Sequence, residues 1–117
     1  MEFYKSLCTV DEAGGAGVGD CFKDNAQAVK KKYDLLHSRL TSKNRDLCTK
    51  QYDNLKSLKK SYDKYTSDLC KTANFRENTA GYVTEQYCIL QLSIQAYKNL
   101  IEFTSHLEKA WHCEEKN

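Results

Sequence analysis

Proline is absent from the 117 residues of this chain, and glycine occurs only five times. Runs in which apolar and polar residues alternate, the pattern of a half-buried strand, are absent as well. A many-stranded sheet is therefore disfavoured, because it needs frequent turns, whereas most of the chain contains nothing that would interrupt a long helix. The length is that of one domain, and we expect a single helical domain over 1–117.

Long hydrophobic runs and a strong charge of one sign are also lacking. Hydrophobic residues make up 40% of the chain and charged residues 29%, and the mean hydropathy is -0.74, values that indicate a folded chain in water. We therefore expect no insertion into a membrane. Because the formal net charge is only +2, nucleic acid is not expected as a partner.

Closely spaced cysteines are absent, although the chain has six. The nearest two are separated by twelve residues, whereas the cysteines of zinc sites come in closely spaced pairs. An even number of dispersed cysteines is typical of disulfide bonds in a secreted protein; the alternative is six reduced cysteines in a cytosolic protein. We predict secretion and complete oxidation of Cys8, Cys21, Cys48, Cys70, Cys88 and Cys113.

Apolar residues recur with the three- and four-residue steps of a helix in three long segments. The first predicts a helix over about 20–41, the second a helix from Cys48 to about Cys70, and the third a helix from Val83 to about Trp111. The predicted fold is therefore all-α, a disulfide-stapled antiparallel bundle of three long helices.

Two shorter features precede the first long helix. Phe3, Tyr4, Leu7 and Cys8 fall on one side of a helical turn, which predicts a short N-terminal helix. Four of the five glycines follow within a few residues of one another. Because glycine is the most flexible residue, we predict a flexible loop over 9–19.

The order of the helices restricts the pairing of the cysteines. In an antiparallel bundle the second helix begins where the third ends, so the cysteines at those positions should meet. At the opposite end, two cysteines lie level on neighbouring helices, and the remaining two are left for each other. Of the fifteen pairings possible for six cysteines, we therefore expect Cys48–Cys113, Cys21–Cys70 and Cys8–Cys88.

Side chains that serve catalysis or metal binding form no recognisable set. The glycine-rich stretch lacks the preceding strand and the following lysine of a phosphate-binding loop, and its acids lack the spacing of a calcium-binding loop. The three histidines do not form a helical metal pair, and a cysteine nucleophile would need a free thiol. We predict no catalytic residue, no metal and no cofactor, and a protein that binds without catalysis.

Basic residues form two clusters, one of three consecutive lysines at 30–32 on the first helix and one of four lysines on the second. Lys56, Lys59, Lys60 and Lys64 recur at helical spacing and should share a face that an acidic partner could bind. Tyr82 lies outside the apolar stripes and is a candidate interface anchor. These five residues form the predicted binding site; the alternative is an ordinary solvated face, because acidic residues are interleaved with the lysines.

The proline-free long helices, the exterior rich in tyrosine and lysine, and the spread of cysteines resemble the salivary anophensin and albicin family of anopheline mosquitoes. The resemblance covers the length and layout of the whole chain and is carried by Cys21, Cys48, Cys70, Cys88 and Cys113. It implies a salivary inhibitor that binds a host plasma protein: the C3 convertase of the alternative complement pathway or, as the alternative, a factor of the kallikrein-kinin contact pathway.

A carrier of small hydrophobic ligands is the remaining alternative, by analogy with the six-cysteine odorant-binding proteins of insects, whose helices surround a pocket. The closely spaced cysteine pairs that mark those proteins are missing here. A carrier would therefore need a different scaffold.

Overall fold

The computed structural model describes Cys8, residues 10–74 and residues 78–107, apart from the side chains of 10–16. The three helices are α1 (Val10–Arg45), α2 (Thr49–Ala73) and α3 (Thr79–Leu107). No strand occurs in this part of the chain. The predicted all-α fold with three long helices is confirmed for these residues, whereas the predicted short N-terminal helix lies outside them.

The helices run up, down and up, so that α1 and α3 are parallel and α2 is antiparallel to both. At one end of the bundle, Tyr82 near the start of α3 donates a hydrogen bond to Asp20 in the first half of α1. At the other end, the side-chain nitrogen Nδ2 of Asn44 on α1 donates a hydrogen bond of 2.8 Å to the carbonyl oxygen of Leu107 on α3. The two longest helices therefore contact each other over most of the length of the bundle.

Two clusters of buried apolar side chains form the core. The first cluster draws on all three helices, whereas the second joins α1 to α3 alone. Burial of a large apolar side chain stabilises the fold by about 1.5–3 kcal/mol relative to exposure, so the periodic stripes of the sequence account for the bundle. The clusters contain Tyr33, Leu40, Leu55 and Leu100 in the first and Ala26, Val29 and Leu90 in the second.

The glycine-rich segment is helical, which corrects the predicted loop over 9–19. Val10 to Gly19 belong to α1, although each interior glycine costs about 1 kcal/mol relative to alanine. Gly19 is buried beneath the ring of Tyr82, and a Cβ at this position would lie 2.5 Å from the ring atom Cε2. The absence of a side chain at Gly19 therefore allows α3 to approach α1 closely.

The first turns of α1 do not continue straight into the rest of the helix. In a straight helix the rise from Val10 to Cys21 would be about 16 Å, and the two residues from Cys8 to Val10 can reach back only about 7 Å. The Cα atoms of Cys8 and Cys21 are nevertheless 5.6 Å apart. The axis of α1 therefore departs from a straight line between Val10 and Cys21, a stretch that contains four glycines.

Two disulfides are described, Cys8–Cys21 and Cys70–Cys88, and they correct the predicted pairs Cys21–Cys70 and Cys8–Cys88. Two cysteines at the same level on neighbouring helices form a disulfide only if their side chains also face each other. Asp34 marks the side of α1 that faces α2, since it pairs with a lysine there. Cys21 lies about 220° around the helix from Asp34, so its sulfur faces away from α2.

Cys48 is also disulfide-bonded. Its predicted partner Cys113 lies outside the described residues, so that pair stays a prediction.

A buried hydrogen-bond network closes the end of the bundle opposite to Cys70. Asn44 is completely buried, and its amide donates to the carbonyl oxygens of Leu40 and Leu107, both at 2.8 Å. The amide of Gln51 donates to Asn44 Oδ1 at 2.6 Å and to the oxygen of Leu107 at 2.8 Å. The last carbonyl groups of a helix have no partner within it, so these two side chains satisfy the end of α3 and join all three helices.

Candidate binding surfaces

A groove that is open to solvent runs between each pair of helices. The α1/α3 groove has a volume of about 700 Å³, the α1/α2 groove about 450 Å³ and the α2/α3 groove about 530 Å³. The three grooves differ in the charge of the residues that line them. This difference determines which kind of partner each groove can accept.

The α1/α2 groove contains oppositely charged groups that pair with each other. Lys59 Nζ lies 3.2 Å from Asp34 Oδ1 and 3.3 Å from Asp63 Oδ2, and it is 6.0 Å from the centre of the Tyr33 ring. Burial lowers the pKa of Lys59, but the hydrogen bonds to the two carboxylates outweigh this effect and raise the pKa. Lys59 therefore links α2 to α1, and its charge is balanced within the molecule.

The other three lysines of the predicted binding face are exposed along one side of α2. Lys64 Nζ lies 2.8 Å from Asp68 Oδ2, and Lys56 Nζ lies 5.0 Å from the centre of the Tyr52 ring. The structure thus brings Lys56, Lys60 and Lys64 together, separates Lys59 from them, and partly compensates their charge.

Tyr82 joins two helices. It is half-buried, its ring covers Gly19, and its hydroxyl donates to the carboxylate of Asp20. This hydrogen bond raises the pKa of Tyr82, because it stabilises the protonated hydroxyl. Tyr82 therefore holds α3 against α1, and its role as an interface anchor stays a prediction.

The α1/α3 groove combines positive charge with exposed apolar surface. Lys32 and Arg39 stand on its α1 side, with Leu35 between them at 68% exposure, and Ile101 on α3 is 43% exposed. The remaining lining residues are Leu36, Tyr97, Thr104 and Ser105.

Sequence analysis did not select Lys32 and Arg39 as binding residues. Their separation of seven residues places them two turns apart on one side of α1, with Leu35 on the same side between them. This signal is present in the sequence. What the sequence does not reveal is that Lys32 and Arg39 line one groove with Tyr97 and Ile101 of α3.

Among the described residues, those that line the α2/α3 groove are all uncharged. Leu58 on α2 and Phe103 on α3 line its walls, at 46% and 52% exposure. The apolar surface continues along α2 through Tyr65 and Leu69, which are 59% and 41% exposed. A contiguous exposed apolar patch of this kind indicates a site of interaction. The other lining residues are Tyr33, Tyr62, Ala96, Asn99, Leu100 and Leu107.

Histidine, cysteine and acidic side chains are the groups that could support metal binding or acid–base chemistry. Within the described ranges, no three histidine, cysteine or acidic side chains are placed to hold a metal ion. His37 is buried, and its Nε2 lies 2.7 Å from the carbonyl oxygen of Leu55, where it links α1 to α2. The described helices contain no stretch that is both long and apolar enough to span a membrane.

Comparison with known proteins finds no match to this chain among family models, curated proteins or solved structures. Its function is therefore inferred from the surfaces described above.

Proposed function

We propose that this protein is a secreted salivary inhibitor of a host plasma cascade and that it binds an acidic, amphipathic segment of a plasma protein in the α1/α3 groove. The target implied by the resemblance is the C3 convertase of the alternative complement pathway, and a contact-pathway factor is the alternative. The disulfides Cys8–Cys21 and Cys70–Cys88 support secretion, because such bonds persist in oxidising environments. The inhibition requires binding alone.

The observation that carries this proposal is the coincidence of positive charge and apolar surface in one groove. Lys32 and Arg39 would steer an acidic partner to the groove and speed its association. Burial of Leu35 and Ile101 would then supply affinity, at about 25 cal/mol for each Å² of apolar surface removed from water.

The dimensions of the groove specify the partner segment further. Lys32 and Arg39 are seven residues apart on α1, which corresponds to about 10 Å along the helix axis. A segment with two carboxylates at about this spacing and an apolar side chain between them would contact Lys32, Leu35 and Arg39 together. Two turns of an acidic amphipathic helix have this pattern.

The carrier alternative would require an enclosed apolar pocket. The three grooves formed by the described residues are open to solvent, and none of them would surround a small hydrophobic ligand. The geometry therefore favours a protein partner.

Capture from plasma tests the proposal. The oxidised protein is immobilised, exposed to plasma, and the retained protein is identified; haemolysis by the alternative pathway and contact activation are measured in parallel. We expect inhibition of one cascade at micromolar concentration, without cleavage of any plasma protein. If both cascades proceed unchanged, the inhibitor proposal is wrong, and stoichiometric displacement of a fluorescent fatty acid would then favour the carrier.

A further inference from the structure

Apolar side chains beside the α2/α3 groove repeat along both helices with the spacing of a helix-packing seam. On α2, Leu58 is followed by Tyr65 and Leu69 after seven and eleven residues. On α3, Phe103 follows Leu92 by eleven residues in the same way. Such a spacing presents one continuous stripe to a neighbouring helix. Four of these side chains remain 41–59% exposed in the folded chain: Leu58, Tyr65, Leu69 and Phe103.

We propose that a second copy of this chain covers the α2/α3 groove, so that the protein is a symmetric dimer. A symmetric interface brings the same patch of both copies together, so a patch whose charges are all of one sign would repel its copy. The lining of the α2/α3 groove contains no charged residue within the part of the chain that the structure describes. The α1/α3 groove, which carries Lys32 and Arg39, could not pair with itself without bringing cations together.

The shape of the α2/α3 face also suits pairing with itself. The face has a groove between two helices, and Leu58 and Phe103 project at its edges. The groove of a second copy could accept these side chains. In the dimer each copy places its own Phe103 against Leu58 of the other copy. Packing of helices across the groove would resemble that of a helical bundle.

The size of the face is sufficient for a dimer. From Asn54 to Thr72, α2 extends about 27 Å, and two helices side by side are about 20 Å wide. The face therefore covers roughly 550 Å² in projection, which the relief of the side chains brings close to the accessible area of about 800 Å² that each partner contributes to a standard interface.

Sedimentation equilibrium over a range of concentrations tests the dimer. The wild-type chain should have a mass approaching twice 13.5 kDa at high micromolar concentration. Phe103→Ser removes an apolar contact on each side of the symmetric interface and should weaken dimerisation at least tenfold. The matched control is Ile101→Ser, because Ile101 is similarly exposed on the same helix but lines the α1/α3 groove; it should remain dimeric.

A second pair of variants guards against misfolding of Phe103→Ser. Asn99 is exposed and lines the α2/α3 groove, so Asn99→Arg would place two cations near the axis and should yield a monomer with wild-type circular dichroism. Gln91→Arg, at an exposed position on α3, should leave the dimer intact.

A monomeric mass for the wild type at every concentration overturns the dimer. The dimer is also overturned if Ile101→Ser weakens it as much as Phe103→Ser does, and Gln91→Arg as much as Asn99→Arg. The proposed target site is tested separately, because it lies in the α1/α3 groove. Monomeric Phe103→Ser should still bind the plasma target, whereas loss of target binding by a variant of Lys32 should leave the dimer unchanged.

Discussion

The contact between Gly19 and the ring of Tyr82 leaves no space for a Cβ atom. We predict that Gly19→Ala destabilises the fold by about 1–2 kcal/mol through this overlap, although alanine favours a helix by about 1 kcal/mol. Tyr82→Ala removes the ring, so the same glycine substitution in that background should instead stabilise the fold. Urea unfolding of the four proteins gives both free-energy differences, and an equal effect of Gly19→Ala in the two backgrounds would contradict the account.

Burial raises the pKa of Tyr33 to about 12, although Lys59 opposes the shift. The unfolded value is about 10, so the fold favours the protonated hydroxyl. The stability that the protonated Tyr33 contributes is fully present below about pH 10 and is lost as the pH rises to about 12.

We therefore predict that Tyr33→Phe, which cannot ionise, loses less stability than the wild type between those pH values. Urea unfolding at several pH values measures the difference, and the ultraviolet absorbance of tyrosinate should show one late-titrating group fewer in the variant. Tyr65→Phe, at an exposed position, serves as the control. Parallel loss of stability in the wild type and Tyr33→Phe would refute the assignment.

At the scale of helices, the ends of all three meet at Asn44. Asn44→Ala leaves the buried oxygen of Leu107 without one of its two donors and Gln51 without an acceptor, so we predict a loss of about 2–3 kcal/mol. Asn54→Ala changes an exposed asparagine on α2 and should cost less than about 0.5 kcal/mol. Thermal and urea unfolding measure both values, and similar losses for the two variants would show that the network contributes little.

The central parts of the helices could be predicted from the sequence, because residues such as Val29, Leu40 and Leu90 report burial through their spacing alone. The start of α1 could not, since the packing of Gly19 against Tyr82, which lies far away in the sequence, is not visible in a local run of glycines. The same limit applies to the site. Lys59 belongs to the same run of helically spaced lysines as Lys56 and Lys60. Only the fold reveals that it pairs with the carboxylates of Asp34 and Asp63.

At the scale of the whole molecule, disulfides fix the end of the bundle that lacks the Asn44 network. Cys8–Cys21 and Cys70–Cys88 close segments with sequence separations of 13 and 18 residues, and loops of this size contribute about 3 kcal/mol each in the chain-entropy model. Peptide mapping of the unreduced protein should recover these two pairs, and reduction should lower the melting temperature. A peptide that links Cys21 to Cys70 would contradict the described connectivity.

We propose different roles for two grooves of the bundle: the α1/α3 groove, which carries Lys32 and Arg39, for a target, and the α2/α3 groove, whose described lining is uncharged, for a second copy. Target binding in the α1/α3 groove is the central claim. Two double variants with the same change in charge distinguish an effect of this groove from a general effect of net charge. Lys32→Glu with Arg39→Glu alters the α1/α3 groove, whereas Lys56→Glu with Lys60→Glu alters the exposed lysines of α2. Circular dichroism should confirm that both variants remain helical.

The most direct test is the rate at which each variant associates with the captured plasma target, measured by surface plasmon resonance at low and physiological salt. We predict that Lys32→Glu with Arg39→Glu slows association by about tenfold or more at low salt, with a smaller effect at higher salt. Lys56→Glu with Lys60→Glu should stay within about twofold of the wild type, because those residues lie outside the groove. Equal slowing by both variants, or slowing by the α2 variant alone, would contradict binding in the α1/α3 groove.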